Sequence, residues 1–324
     1  MKTKLYFTIA ILFCITAIFI CISLGNVYIS PKELFSYSQL DDYTKTVLMD
    51  LRLPRVIMAF LVGMLLASSG NVVQIIFQNP LADPYIIGIV SSATFGAVVA
   101  YLLGLPEYSY GAVAFVCCLI STLFLFRIAK KGNHIHISTL LIMGITLASF
   151  LAGFTSFSIY WIGEDSFKIT IWLMGYLGNA SWKQILFLLF PIIFSTLYFY
   201  QKRNALDILL LGDEQAHSMG IQVSKLKSHC LILASLMVAF SVAFTGMIGF
   251  VGLIVPHIVR NIVGPLNRKV IPCTLFFGGT FLLVCDTLGR MILAPLEIPI
   301  GVITSLLGAP FFFYLAMKNR RNML

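Results

Sequence analysis

Apolar residues in this chain are grouped into about ten runs, separated by short polar or broken segments. Most runs contain about twenty residues, the length that an α-helix needs to cross the hydrocarbon core of a bilayer. The pattern therefore predicts an all-α polytopic membrane protein with about ten transmembrane helices. The predicted spans are residues 5–24, 53–76, 85–104, 109–129, 138–160, 184–200, 229–247, 248–263, 270–289 and 298–317.

Two connections between spans are irregular rather than polar. Residues 70–84, which join spans two and three, include Pro80 and Pro84, and residues 245–257, which join spans seven and eight, include Pro256. Proline removes a backbone donor and interrupts a helix. Because the second interruption comes five spans after the first, the pair predicts an inverted repeat of two five-helix halves. The first connection fits a capped turn and, equally well, a broken helix that lines a solute path.

Small residues recur at the spacing of helix contacts. Gly63, Ala67 and Gly70 lie on one face of span two, and a similar triplet in span ten consists of Gly301, Ser305 and Gly308. Small residues allow helix backbones to approach closely in membranes. We therefore expect tight helix packing at both places.

Composition strengthens the membrane assignment and adds an orientation. The 324 residues are 59% hydrophobic and 11% charged, whereas soluble domains carry about 25% charged residues. In the ten-span arrangement, fifteen of the 22 Lys and Arg residues but only four of the 13 acids fall on the side of the N-terminus. Basic loops stay in the cytoplasm, so both termini are predicted to be cytoplasmic. Residues 1–324 form a single transmembrane domain in this interpretation.

Several function classes find no support in the sequence. The net charge of +9 comes from short clusters between apolar runs, which does not indicate nucleic-acid binding. The sequence has no Walker-type phosphate loop or nucleophile elbow, so we expect neither an enzyme nor a cofactor. His134 and His136 lack a neighbouring third metal ligand. Few ionisable residues lie deep inside spans, which argues against ion-coupled transport.

The longest predicted cytoplasmic loop covers residues 201–228. Asp213 and Glu214 follow Gly212 and suit the positive end of a helix dipole, and Gly220 is placed to end that short helix. Three leucines, ending at Leu211, precede it. The pattern predicts either an interfacial helix that lies on lipid or a docking element for a soluble partner.

Longer motifs resemble the FecCD-type permease family, the membrane subunits of ABC importers for iron-siderophores, haem and cobalamin. The resemblance covers residues 45–317 in order. The matching stretches are residues 52–55 (RLPR), 78–84 (QNPLADP), 172–175 (WLMG), 211–216 (LGDEQA) with Met219 and Gly220, 249–257 (GFVGLIVPH) with Arg260, 299–304 (PIGVIT) and 308–310 (GAP).

The resemblance implies partners and site residues. The partners are two copies of a cytoplasmic ABC ATPase, an extracytoplasmic substrate-binding protein and a second permease subunit, most simply an identical one. The implied coupling residues, which fit a groove on the ATPase, are Leu211, Gly212, Asp213, Glu214, Ala216 and Gly220. The implied gate and pathway residues are Asn79, Pro80, Leu81, Ser138 and Trp172.

Three arginines are implied to face acidic residues of the binding protein. Arg52 and Arg55 flank Pro54 at the outer end of span two, and Arg290 ends span nine. An arginine fork suits a carboxylate and steers an acidic partner. The alternative role is to anchor these helix ends at the membrane interface.

Together these features predict the permease subunit of a type II ABC importer in the bacterial plasma (inner) membrane. The substrate is a metal chelate, with a ferric siderophore preferred over haem or cobalamin. A separate ATPase drives alternating access. An ion-coupled secondary transporter is the alternative, and a membrane-embedded binding or scaffold protein comes third.

Overall fold

The computed structural model describes residues 2–25, 29–30, 33–34, 40–131, 134–135 and 137–321. Fourteen α-helices make up most of these residues. They are α1 Lys2–Ser23, α2 Asp42–Thr46, α3 Leu53–Ile76, α4 Ile89–Leu102, α5 Tyr110–Ala129, α6 Ile137–Ile162, α7 Phe167–Leu173, α8 Trp182–Gln201, α9 Arg203–Leu209, α10 Asp213–Ser218, α11 Val223–Thr245, α12 Val251–Val263, α13 Asn267–Met291 and α14 Ile300–Arg321.

Short elements join some of these helices. A π-helical turn, Val47–Arg52, connects α2 directly to α3, and 3₁₀ turns cover Pro84–Ile87, Glu107–Ser109 and Gly163–Ser166. Two-residue strands, β1 Lys130–Lys131 and β2 His134–Ile135, pair antiparallel with Lys130 opposite Ile135.

The helices confirm a polytopic membrane protein. Six helical segments within the described residues are long and apolar enough to cross a bilayer, the first of which joins α2, the π-helical turn and α3: residues 42–76, 110–129, 137–162, 182–201, 223–245 and 267–291. Four shorter apolar helices, at 10–23, 89–102, 251–263 and 300–315, match the other predicted runs. Every predicted run is therefore helical, while the count of ten membrane crossings stays a prediction.

Helix α3 is the centre of the bundle. Its 18-residue apolar core is 83% buried, and it packs against α8, α11, α12 and α13. The glycine face predicted for this helix is where the closest contacts occur. A Cβ atom on Gly63 would meet the backbone of Gly278 in α13, and one on Gly70 would meet the backbone of Gly252 in α12. Glycine at these positions is what allows the backbones to approach so closely.

The two irregular connections meet inside the bundle. After α3 the chain turns at residues 77–83 and enters the 3₁₀ turn that begins at Pro84. Between α11 and α12, Gly246 and Phe250 have positive φ angles of 69° and 68°. The hydroxyl of Tyr85 donates a hydrogen bond of 2.8 Å to the carbonyl of Ile248. Both connections are thus irregular, as the prolines and glycines predict. The inverted repeat itself stays a prediction.

Helix α6 lies at the edge of the bundle. Only 17% of its 18-residue apolar stretch is buried. Large side chains on this helix are exposed, among them Phe150 at 71% and Trp161 at 76%. Helix α14 also exposes apolar side chains, including Leu306 and Phe313. These two helices present apolar surface that the described part of the chain does not cover.

Candidate functional site

Helix α10 is the short element predicted for the 201–228 loop. It covers Asp213–Ser218 and follows Gly212, whose φ of +118° is open to glycine but rarely to other residues. Gly220 follows at φ +82°, where glycine commonly ends a helix. Ala216 is fully buried, whereas Leu211 is 64% exposed. The helix is thus fastened on one side and presents Leu211 and Glu214 to solvent.

Asp213 is held within the chain. Its Oδ2 atom lies 2.6 Å from Nζ of Lys227 in the first turns of α11, and its Oδ1 accepts a hydrogen bond of 3.2 Å from Nε2 of Gln78. The Lys227 side chain is 6% exposed and that of Asp213 is 52% exposed. A buried ammonium needs such a partner. Asp213 therefore fixes α10 to α11 and to the turn after α3.

A groove of about 500 Å³ runs beside α10. Both acids of the α10 N-terminus line it, and so does Lys225. The remaining lining residues are His217, Gln222, Val223 and Ser224. The groove is open to solvent, and six of its seven lining residues carry polar or charged side chains.

The turn that contains Asn79, Pro80 and Leu81 is stabilised by its own hydrogen bonds. The Oδ1 atom of Asn79 accepts the backbone N–H of Leu81 at 2.9 Å, and the Asn79 carbonyl accepts that of Ala82 at 3.1 Å. Asp83 accepts the N–H of Tyr85 at 2.8 Å. Burial raises the pKa of Asp83 to about 6, although this hydrogen bond opposes the shift. All three predicted gate residues of this turn are exposed.

Ser138 and Trp172 differ in their surroundings. Ser138 is exposed in the first turn of α6. Trp172, in α7, is partly buried and packs against the apolar core. It also lines an aromatic cavity of about 830 Å³ together with Tyr110, Phe115 and Phe240. Its neighbours Phe167 and Ile171 are more open, at 68% and 37% exposure.

A largely buried polar network joins α9, α3, α12 and α13. Arg260 in α12 donates to the Gln74 side-chain oxygen at 2.5 Å and to Oδ1 of Asn71 at 2.7 Å. Asn71 donates to Asn267 at 3.4 Å, and Asn267 in turn donates to Asp207 of α9 at 2.7 Å. The network therefore connects the 201–228 loop with α3, α12 and α13.

The three predicted docking arginines lie together at the opposite end of α3. Arg55 contacts Oδ1 of Asp286 at 2.9 Å and Oε2 of Glu297 at 2.8 Å. Arg290 contacts Oδ2 of Asp286 at 3.0 Å, and Arg52 donates to the carbonyl of Ile22 at 2.9 Å. All three arginines, with Glu297, line an open groove of about 300 Å³. We call these three arginines and two acids the arginine cluster.

Sequence patterns single out most of the exposed candidate residues, but they do not predict which side chains these residues bind within the chain. The sequence gives no reason to pair Asp213 with Gln78 or Asp286 with Arg55, because these pairs are separated by 135 and 231 positions. Asp286 and Arg290 are spaced i,i+4 on one helix, which is the only local signal of the cluster.

The described residues contain no group of three or more His, Cys, Asp and Glu side chains that could hold a metal ion. His134 lies in β2, and His136 is outside the described residues.

The family model for the FecCD transport family matches residues 12–318. The chain belongs to the FecCD transport family. It is 39% identical over 266 residues to the cobalamin import system permease protein BtuC of Halobacterium salinarum, covering 82% of this chain and 72% of that protein. It is also 35% identical over 308 residues to the hemin transport system permease protein HmuU of Yersinia pestis, covering 93% and 91%.

A solved structure shares the FecCD fold. It shows a metal-chelate type ABC transporter in an inward-facing conformation, with a TM-score of 0.88, 30% sequence identity and coverage of 97% of this chain and 99% of that one. The family resemblance carried by the sequence motifs is confirmed.

Proposed function

We propose that this FecCD chain is the permease subunit of an ABC importer that carries a metal chelate, haem or cobalamin into the cytoplasm. Relatives of this chain are named for the transport of cobalamin, hemin and iron chelatin, and a structural neighbour is of metal-chelate type. The observation that carries the proposal is α10, a fixed helix with an exposed face. A permease that is driven by a separate ATPase needs such a contact point. In this arrangement the chain sits in a prokaryotic plasma membrane with both termini in the cytoplasm.

Helix α10 is the proposed contact for the ATPase. Leu211 supplies an exposed apolar side chain, and Glu214 supplies charge beside the 500 Å³ groove. Gly212, Ala216 and Gly220 shape the helix, since two of them take positive φ angles and the third is buried. Asp213 is proposed to act by holding α10 in place, because both of its carboxylate oxygens have partners within the chain.

Reversing the charge at Glu214 tests this contact. We expect Glu214→Lys to lower the amount of cognate ATPase that co-purifies by about tenfold, equivalent to about 1.4 kcal/mol. The substitution reverses the charge of an exposed side chain and leaves the bonds of Asp213 within the chain intact. The matched control is Glu164→Lys, an exposed acid in the 3₁₀ turn before α7. Equal recovery of ATPase with the Glu214→Lys and parent chains would contradict docking at α10.

A ferric siderophore is the proposed substrate, with haem or cobalamin as the other members of the class. In this proposal the chelate holds the metal, and the described residues contain no group of three or more His, Cys, Asp and Glu side chains that could do so. The test is to measure binding of ferric siderophores, haemin and cyanocobalamin to the cognate binding protein. Affinity for cyanocobalamin alone would contradict the siderophore assignment.

A second, identical subunit is the proposed partner for the apolar faces of α6 and α14. These faces expose Phe150, Trp161, Leu306 and Phe313. A pathway between two copies would have Ser138 and the turn at 79–81 at its cytoplasmic end, and α7 with Trp172 beside it. Light scattering of the purified chain in detergent should give the mass of a dimer.

The groove at the arginine cluster is the proposed docking site for an acidic binding protein. The arginine cluster has three arginines and two acids, Asp286 and Glu297, and therefore a net charge of +1. We expect Arg52→Gln to weaken binding by roughly two- to fivefold at low salt and less at high salt, as measured by surface plasmon resonance. Lys45→Gln, a nearby change outside the groove, is the control for general charge. Unchanged affinity with Arg52→Gln would leave the arginines with the anchoring role alone.

A further inference from the structure

The turn that follows α3 contains Asn79, Pro80 and Leu81, and we call it the gate turn. It begins with an unusual residue, Gln78. Its φ of +49° places it in the left-handed region, where only one other described non-glycine residue, Phe250, is found. The backbone of a non-glycine residue is strained in this region, and the conformation persists only when the surrounding structure holds it. Gln78 directly precedes Asn79, Pro80 and Leu81, so whatever holds Gln78 also sets the position of the gate turn.

The side-chain amide of Gln78 bridges the two sides of the turn that leads into α10. Its Nε2 atom donates to the carbonyl of Leu209, at the end of α9, at 3.0 Å. It also donates to Oδ1 of Asp213, at the start of α10, at 3.2 Å. One amide group therefore joins the gate turn to both helices of the loop.

The partners on either side are themselves firmly placed. Lys227, which is nearly buried, holds the other oxygen of Asp213 at 2.6 Å. On the gate side, the N–H of Asn79 bonds the carbonyl of Gln74 at 3.0 Å, and Leu81 bonds the Asn79 side chain. Because hydrogen bonds join α10 to the gate turn, a displacement of α10 is expected to displace the gate turn with it.

We propose that Gln78 is a positioning residue that transmits the movement of α10 to the gate turn. The inference rests on the proposed ATPase contact at α10. Gln78 touches neither the ATPase nor the substrate in this scheme. It acts by donating two hydrogen bonds, so its donor chemistry matters more than its volume.

The experiment uses the complete complex of this chain with its cognate ATPase. Leu81, 37% exposed, is replaced by cysteine in a chain whose seven native cysteines are removed, and its labelling by a membrane-impermeant maleimide is timed without nucleotide and with ATP plus vanadate. Gln78→Glu has nearly the same shape but places a carboxylate against the Asp213 carboxylate. Gln78→Lys keeps a donor. Gln201→Glu makes the same chemical change at an exposed glutamine at the end of α8.

We expect nucleotide to change the labelling rate of the parent, Gln78→Lys and Gln201→Glu complexes by at least about fivefold. In Gln78→Glu the change should fall to about twofold or less. ATPase binding and ATP hydrolysis should continue, because Lys227 still holds the other oxygen of Asp213 and with it α10. A full nucleotide response in Gln78→Glu would overturn the inference and leave the ATPase contact intact. Failure of the parent complex to bind the ATPase or to respond would instead overturn the proposed function on which the inference rests.

Discussion

Replacing Asp286 by alanine should cause one of the largest losses of stability available in this chain. The Asp286 side chain is 1% exposed and pairs with both Arg55 and Arg290, whose side chains are 12% and 7% exposed. Without it, the arginine cluster keeps three arginines and a single acid, Glu297. Removing one partner from a buried ion pair costs about 3–5 kcal/mol, because the remaining charge is left uncompensated.

The measurement is thermal unfolding of the detergent-solubilised chain, with a decrease in Tm on the order of 10 °C for Asp286→Ala. Asp42→Ala is the control. It removes an ion pair with Lys45 whose acid is fully exposed, and such pairs contribute less than about 1 kcal/mol. If Asp286→Ala melted at the same temperature as the control, the cluster could not be holding α3 and α13 together.

The second large effect is expected at Gly70. A Cβ atom there would meet the backbone of Gly252 rather than a flexible side chain. The two helices cannot separate without stretching the bonds from Gln74 to the Gly252 carbonyl and from Arg260 to Asn71. Overpacking a close-packed interior costs about 1–3 kcal/mol when side chains can adjust, and more when only backbone can move. Gly70→Ala should therefore destroy the monodisperse gel-filtration peak of the purified chain.

Gly153→Ala provides the matched comparison. Gly153 is also inside a long apolar helix, α6, but apart from its chain neighbours and the backbone of its own helix, none of the described residues has an atom within 4 Å of the added Cβ. Alanine favours a helix over glycine by about 1 kcal/mol, so this variant should remain monodisperse with an unchanged or slightly higher Tm. Similar behaviour of the two variants would refute the close approach of α3 and α12.

The helices and their closest contacts could be predicted because their signals are local. Runs of apolar residues, the prolines at 80 and 84, and the glycines at 63 and 70 act through nearby backbone or through helix spacing. The boundaries of α10 follow equally from Gly212 and Gly220. The π-helical turn Val47–Arg52, by contrast, has no comparable sequence signal, and neither does the left-handed conformation of Gln78.

The pairing of charges could not be predicted because it depends on the three-dimensional arrangement of helices. Asp213 and Arg55 look like free surface charges in the sequence, next to a glycine and a proline. In the structure, each binds two partners, and at least one partner of each lies on a distant segment. The residues of the 211–216 motif therefore differ in role. Glu214 and Leu211 remain candidates for contact with the ATPase, whereas Asp213 holds α10 in place.

The most direct test of the account is transport by the reconstituted complex. The chain, its cognate ATPase and its binding protein are placed in proteoliposomes, and uptake of radiolabelled ferric siderophore, haemin or cyanocobalamin is measured with ATP on the ATPase side or with a proton or sodium gradient alone. We predict uptake that requires ATP, the ATPase and the binding protein together, with no response to either gradient. Uptake by the chain alone on an ion gradient would contradict the account and identify a secondary transporter.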